Sequence, residues 1–162
     1  IPEIIYGFGV STKYRKVDFS LFFQGADSYS KMVNGNYFIP GSGGGGNGNI
    51  YANVDDRWTP ENPSSDVFWP RLYNGSNSNN RLYSTWWLKD AAFLRLKNLE
   101  LGYTLPEKWQ RNAMMRNARL FFRGTNLFTW AAFDMWDPEL DTTNGLRYPQ
   151  QKIYTFGVEI TF

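Results

Sequence analysis

From Lys152 the chain reads KIYTFGVEITF, and no other run constrains the fold as tightly. Tyr154, Phe156, Val158, Ile160 and Phe162 share one parity, while Ile153, Thr155, Gly157, Glu159 and Thr161 share the other. Successive side chains of a strand point to opposite faces. This spacing therefore makes a strand with one wholly apolar face and one mostly polar face. The strand ends on an aromatic residue with no tail after it, whereas the free end of a soluble domain more often frays beyond its last element.

The same texture recurs upstream. Ile4, Tyr6, Phe8 and Val10 fall on one face of a first strand, with Ile5, Gly7, Gly9 and Ser11 opposite. Val17, Phe19, Leu21 and Phe23 form the apolar face of a second strand, and Tyr14-Arg15-Lys16 reads as a tight hairpin between the two. A third strand carries Leu99, Leu101, Tyr103 and Leu105 on one face but Leu94 and Leu96 on the wrong parity. Either a bulge near Lys97-Asn98 re-phases it, or its upper part stands clear of the apolar layer. A fourth alternates Leu120, Phe122 and Gly124 with Arg119, Arg123 and Thr125, with Phe121 the exception on the polar face. The predicted strands are about 3–13, 17–27, 90–105, 118–128 and 152–162.

The connections alternate between short and long. Residues 28–89 and 129–151 are long, whereas 14–16 and 106–117 are short, the latter with a helical turn predicted over Glu107-Lys108-Trp109. A structureless connection of that first length sits badly in a compact soluble domain. Membrane barrels pair short turns on one side with long loops on the other, so 28–89 and 129–151 are expected to be extracellular and the C-terminus periplasmic. Inside 28–89, Asn53 to Trp58 reads as a helical turn that Thr59-Pro60 ends, and SGGGGNGN (Ser42–Asn49) as a flexible tip. The Gly41–Gly48 stretch lacks the Lys-Ser/Thr of a phosphate loop. The fold class expected is all-β: five antiparallel strands of a large transmembrane barrel. Roughly eight strands are the least that close one, so the remaining strands lie in a longer chain.

Composition narrows the chemistry. Cys and His are both absent, which removes disulfides, Cys/His zinc sites, catalytic thiols and histidine triads. Aromatic residues make up 19% of the chain, yet mean hydropathy is −0.49 and no apolar run is long enough for a membrane helix. A net charge of +2 without a run of like charges gives no reason to expect a nucleic-acid partner.

Several motifs in order resemble the end of SusC/RagA-type TonB-dependent transporters. They are DAAFLRLKNLELGYTLP (90–106), RLFFRGTNLFT (119–129), Asp137-Pro138-Glu139, YPQQKIYTFGVEITF (148–162) and, in the long connection, DRWTPENP (56–63). The resemblance implies a barrel of about 22 strands with a plugged lumen. It implies active import of a large nutrient across the outer membrane of a Gram-negative bacterium, an oligosaccharide first and a peptide, as in the RagA type, second. It implies a SusD-like surface lipoprotein as lid, the TonB–ExbB–ExbD system as energy source acting through an N-terminal plug outside this chain, and outer-membrane lipid around the wall. No cofactor, metal or covalent chemistry is expected.

The candidate residues fall into three groups. Asp18, Gln24, Arg119, Arg123 and Glu159 lie on the polar faces and would line the lumen, or pack on the plug and pair with one another. Trp58, Trp69, Trp86, Trp87 and Trp136 would stack on substrate or touch the lid protein; set against this are loop packing and the interfacial aromatic girdle, to which Trp130 also belongs. Tyr154, Phe156, Val158, Ile160 and Phe162 would be the signal read by the barrel-assembly machinery. The acidic residues of the long connections fit neither a calcium loop nor a hydrolase pair, so solvated charge is the plainer reading, and a glycosidase resting on Asp137 or Glu139 the remote one. The competing functional reading is a secreted β-sandwich module that binds carbohydrate through its loop tryptophans.

Overall fold

The computed structural model describes residues 2–35, 38–40, 50–73 and 79–162. The glycine-rich run at 41–49 lies outside the described residues. Two compact units emerge, one of Ile1–Ser30, Asp90–Pro138 and Pro149–Phe162, the other of Lys31–Lys89 and Glu139–Tyr148.

The first unit is a five-stranded antiparallel sheet. Its strands are β1 (Ile4–Tyr14), β2 (Val17–Asp27), β5 (Phe93–Thr104), β6 (Asn117–Ala131) and β7 (Ile153–Thr161), in that spatial order. Strand neighbours in sequence are neighbours in space, as hairpin connections favour. The parity read from the sequence persists across the ladders. Val10 faces Leu21, Phe19 faces Leu101, Leu101 faces Phe122, and Phe122 faces Phe156. These side chains form one continuous apolar face that nothing covers among the described residues. Phe8 is 53% exposed, Leu120 43% and Phe156 79%. An open apolar face of this extent departs from the β-sandwich expected as the competing reading, whose core needs a second sheet on that face. At β1, eleven residues tilted by about 40° span roughly 25 Å, the height of the apolar band of an outer-membrane barrel.

The bulge, and not an upper part standing clear, accounts for Leu94 and Leu96. Lys97 has no partner on β2, where Phe22 pairs with Asn98 and Phe23 with Leu96. Opposite, β6 spends Asn126 and Leu127 where β5 spends only Lys97, and Asn126 takes a positive φ of 54° to do so. Leu94 and Leu96 are thereby turned onto the apolar face, opposite Trp130 and Phe128. β5 starts at Phe93 and not at residue 90, because the Asp90 carboxylate accepts the Ala92 N–H at 2.9 Å and breaks the ladder there. The short helix α1 (Glu107–Asn112) follows Pro106 and closes on Met114, at φ 54°.

The second unit owes little to regular structure. A ribbon of β3 (Ser30–Met32) and β4 (Leu88–Asp90) is extended by Val33 N–H donating to Trp87 O at 2.8 Å. Around it pack Val33, Phe38, Ile39, Trp69 and Trp87, all buried. Trp69 touches Phe38 (5.2 Å between ring centroids), Tyr51 (5.6 Å, stacked), Phe68 (4.7 Å, edge-on) and Trp87 (6.3 Å). Such rings contribute on the order of 1.5–3 kcal/mol each through apolar burial. The helical turn expected from Asn53 to Trp58 is replaced by two successive turns, Val54 N–H to Tyr51 O and Asp56 N–H to Asn53 O. The reason is Trp69, whose backbone exchanges hydrogen bonds with Asp56 and Trp58 and so holds that stretch extended.

Candidate functional site on the polar face

The polar face of the sheet carries a connected set of charges. Arg119 on β6 donates from Nε to Asp18 Oδ1 at 3.0 Å and from Nη2 to Asp18 Oδ2, and Nη2 also reaches Glu100 Oε1 at 2.7 Å. Arg123, two repeats of the pleat further on, donates from Nε to Glu100 Oε2 at 2.9 Å. Glu159 on β7 lies 3.9 Å from Arg119 Nη1. Asp18 belongs to β2, so the Arg119 side chain must cross the whole width of β5. It does so over Gly102, where a Cβ would sit 2.4 Å from Arg119 Nη2 and 2.5 Å from Asp18 Oδ1. Glycine is needed here for clearance and not for its φ. Phe121, the apolar exception, lies between the two guanidinium groups, 5.5 Å and 5.4 Å from their carbons. Its ring fills the space above Gly157, whose missing Cβ would meet it at 2.4 Å. The exception is thus a cation–π spacer in a charged row.

Four of the five predicted polar-face residues come together in this set: Asp18, Arg119, Arg123 and Glu159. Gln24 does not join them. It pairs in register with Arg95, six positions along β2 from Asp18. Glu100 was missed, although its parity opposite Leu99 and Leu101 would have found it. Arg95 was missed as well. Its side chain is 1% exposed, and it donates to Asp137 Oδ1 and to Gln150 Oε1, both at 2.6 Å. One guanidinium thereby ties the chain leaving β6 and the chain entering β7 to the same face of β5. Breaking a buried pair of this kind strands a charge at a cost of several kcal/mol. Asp137 is therefore engaged as the ion-pair partner of Arg95.

The tryptophans divide. Trp69 and Trp87 are 0% and 1% exposed, and their indole N–H groups donate to Asn53 Oδ1 and Asn80 O. They are the core of the second unit and are corrected here from contact residues to packing residues; rings enclosed on both faces have none left to offer a ligand. Trp58, Trp86 and Trp136 are half-buried. Arg71 lies over Trp58 at 5.9 Å, Trp86 donates to Phe68 O at 3.2 Å, and Trp136 meets Phe133 edge-on at 4.8 Å. Trp130 stands on the apolar face, 54% exposed, beside Phe128 and Phe23. Tyr154, Phe156, Val158 and Ile160 share the exposed apolar face of β7, and Phe162 follows it, 77% exposed. Among the described residues no group of three or more His, Cys, Asp or Glu side chains is placed to hold a metal ion.

An antiparallel sheet with one uncovered apolar face and one charged, cross-linked face is a piece of the wall of a large membrane β-barrel. No family model matches the chain. It is 32% identical to TonB-dependent receptor P26 of Formosa agariphila over 177 aligned positions, covering all of this chain and 17% of that receptor. To TonB-dependent receptor P3 of the same organism it is 29% identical, over 99% of this chain and 16% of the receptor. Among solved structures, the RagAB peptide importer in its closed-closed state superimposes on the whole chain with a TM-score of 0.76 at 28% identity, covering 17% of the matched chain. The open-open state of that importer gives 0.69 at 25% identity. The chain thus spans about 17% of the length of the relatives it matches. It belongs to the SusC/RagA-type TonB-dependent receptors, as a segment of their barrel.

Proposed function

We propose that the protein containing this segment imports a large nutrient across the outer membrane, driven by TonB. The observation that carries this reading is the pair of faces: a band of exposed apolar side chains suited to lipid, backed by a charged row suited to a wet or plugged lumen. End-to-end similarity to TonB-dependent receptors supports it. In this reading Asp18, Gln24, Arg119, Arg123 and Glu159 face the lumen. The two-residue turn at Arg15-Lys16 and the α1 connection lie on the periplasmic side with the C-terminus, and the second unit lies outside the cell. A SusD-like lipoprotein would lid the barrel, Trp58, Trp86 and Trp136 remain candidates for substrate or lid contact, and the β7 aromatic face is the candidate signal for the assembly machinery. No step of this transport makes or breaks a covalent bond.

The substrate is read as an oligosaccharide. A peptide is the second reading, favoured by similarity to an importer of peptides. Burial of Trp69 and Trp87 weakens the case that loop indoles single out sugars. Deleting the gene and following uptake of labelled oligosaccharide and peptide pools tests both. Loss of one uptake, reproduced by removing TonB, identifies the cargo. Unchanged uptake of both would end the import reading.

A further inference from the structure

We propose that the turn end of the sheet holds an anionic phospholipid of the leaflet it faces, with an acyl chain in a groove on the apolar face and the headgroup on a cluster of basic side chains. The proposal rests on the membrane-wall reading above and adds to it a specific lipid. Leu101, Tyr103, Leu120, Phe122 and Phe156 line an open, shallow apolar groove of about 250 Å³ on the outward face of β5, β6 and β7. The groove's end is fixed by register: Tyr103 pairs with Val17 and Leu120, and the next residue, Thr104, donates its N–H to Lys16 O at 2.8 Å. The groove therefore opens one residue from the turn.

Basic side chains outnumber acidic ones in the two short connections: Arg15, Lys16, Lys108, Arg111 and Arg116 against Glu107. They belong to one end of the sheet, because Arg116 N–H donates to Thr161 O and Leu105 N–H to Ala118 O, which closes the α1 connection onto the ends of β6 and β7. Arg15 is held toward the apolar face by lying over the Tyr14 ring, 5.2 Å from its centroid. Arg111 meets Glu107 only at 3.7 Å, with both side chains about four-fifths exposed, so this contact neutralises little. Exposed apolar groups stand at the same end: Tyr14 at 70%, Trp109 at 61% and Met114 at 87%. Amphipathic rings at the headgroup level, cations beside them and an apolar slot leading away are complementary to a phosphodiester headgroup with its acyl chain.

The test uses the full-length receptor, purified in detergent, with native mass spectrometry counting bound lipid as phosphatidylglycerol or phosphatidylcholine of the same chains is added. The expected result is selective retention of phosphatidylglycerol. Replacing Arg15→Gln, Lys16→Gln and Arg116→Gln together should weaken it about 100-fold, at roughly five-fold per cation near a charged bilayer. Leu120→Trp, which fills the groove, should weaken retention of both lipids. The heat-dependent gel shift of each variant reports whether its barrel is folded. Equal retention of the two lipids by a heat-shifting receptor, or full retention in the triple variant, overturns the proposal. A receptor that stays monodisperse without detergent overturns the membrane-wall reading itself.

Discussion

The two units handle aromatic side chains in opposite ways. In the sheet, rings are displayed: Phe156 is 79% exposed and Tyr154 60%. In the second unit the central ones are hidden, with Trp69 at 0% and Phe38 at 1%, and only tyrosines such as Tyr73 and Tyr83 stay at its surface among the described residues. Backbone polarity runs the other way. The inner strands β2, β5 and β6 pair on both sides in ladders, and β1 and β7 pair on one side each, leaving their outer edges to the neighbouring strands of the barrel wall. The second unit uses isolated turns and indole N–H bonds to carbonyls. Each region has been fitted to a different solvent: apolar burial stabilises the second unit in water, while lipid supplies the apolar surroundings of the sheet.

The sharpest way to break this contrast is Trp69→Ala. The deleted ring leaves a cavity among Phe38, Tyr51, Phe68 and Trp87, at a cost of about 3–5 kcal/mol. In the full-length receptor, limited proteolysis should then cut within residues 31–89 while the heat-dependent gel shift of the barrel persists. Loss of the shift together with protection would show that the two units fold as one.

Next in size is a pair of neighbours on β1. Val10→Arg puts a charge on the face we assign to lipid, near the middle of the strand, and should cost about 2–4 kcal/mol in denaturant unfolding of the reconstituted receptor. Ser11→Arg, one residue on and facing the other way, should cost under about 1 kcal/mol. Equal penalties would remove the distinction between the faces.

Gly102→Ala probes the charged row. Its Cβ would fall on the Arg119–Asp18 contact, so the guanidinium must move, at about 1–3 kcal/mol. In an Asp18→Asn background, where that contact is already weakened, the same change should cost measurably less. Strict additivity would mean that the crossing of β5 by Arg119 contributes nothing.

Much of the sheet was legible because a period of two survives any change of neighbour. KIYTFGVEITF reads as the same strand whatever pairs with it. Leu94 and Leu96 were ambiguous because a bulge is an agreement between strands: Lys97 is extra on β5 only relative to β2, and β6 adds a further residue of its own. Of the charged row, Asp18, Arg119 and Glu159 could be assigned a face but not a partner, since Gly102 looked like any strand glycine until Arg119 was seen above it. The second unit was least legible. Val33, Phe38, Trp69 and Trp87 meet from separate turns with no repeat to mark them, so the same tryptophans that looked like contact surfaces turn out to hold the unit together.

The smallest effect concerns Lys89, a lysine of the second unit whose titration is displaced. Lys89 Nζ donates to Phe68 O at 3.2 Å and lies over the rings of Phe68 (4.5 Å) and Trp86 (5.7 Å). Burial against these rings pulls its pKa below the ordinary lysine value, and the Asp56 carboxylate offsets part of that. The folded unit therefore holds its proton less tightly than the unfolded chain does, and unfolding takes up protons at pH values between the two pKa values. Stability should rise with pH through that window, just below the ordinary value of 10.5, and be flat in this respect at lower pH, where both states are protonated. Lys89→Met keeps the apolar contact with both rings and removes the charge, so protease resistance of residues 31–89 should lose its rise in the window just below 10.5. It should also increase slightly at neutral pH. A variant that lost resistance at neutral pH would show that the cation–π contacts and the bond to Phe68 O outweigh the desolvation of the ammonium. The aromatic core of this unit would then be built to hold a charge as well as to exclude water.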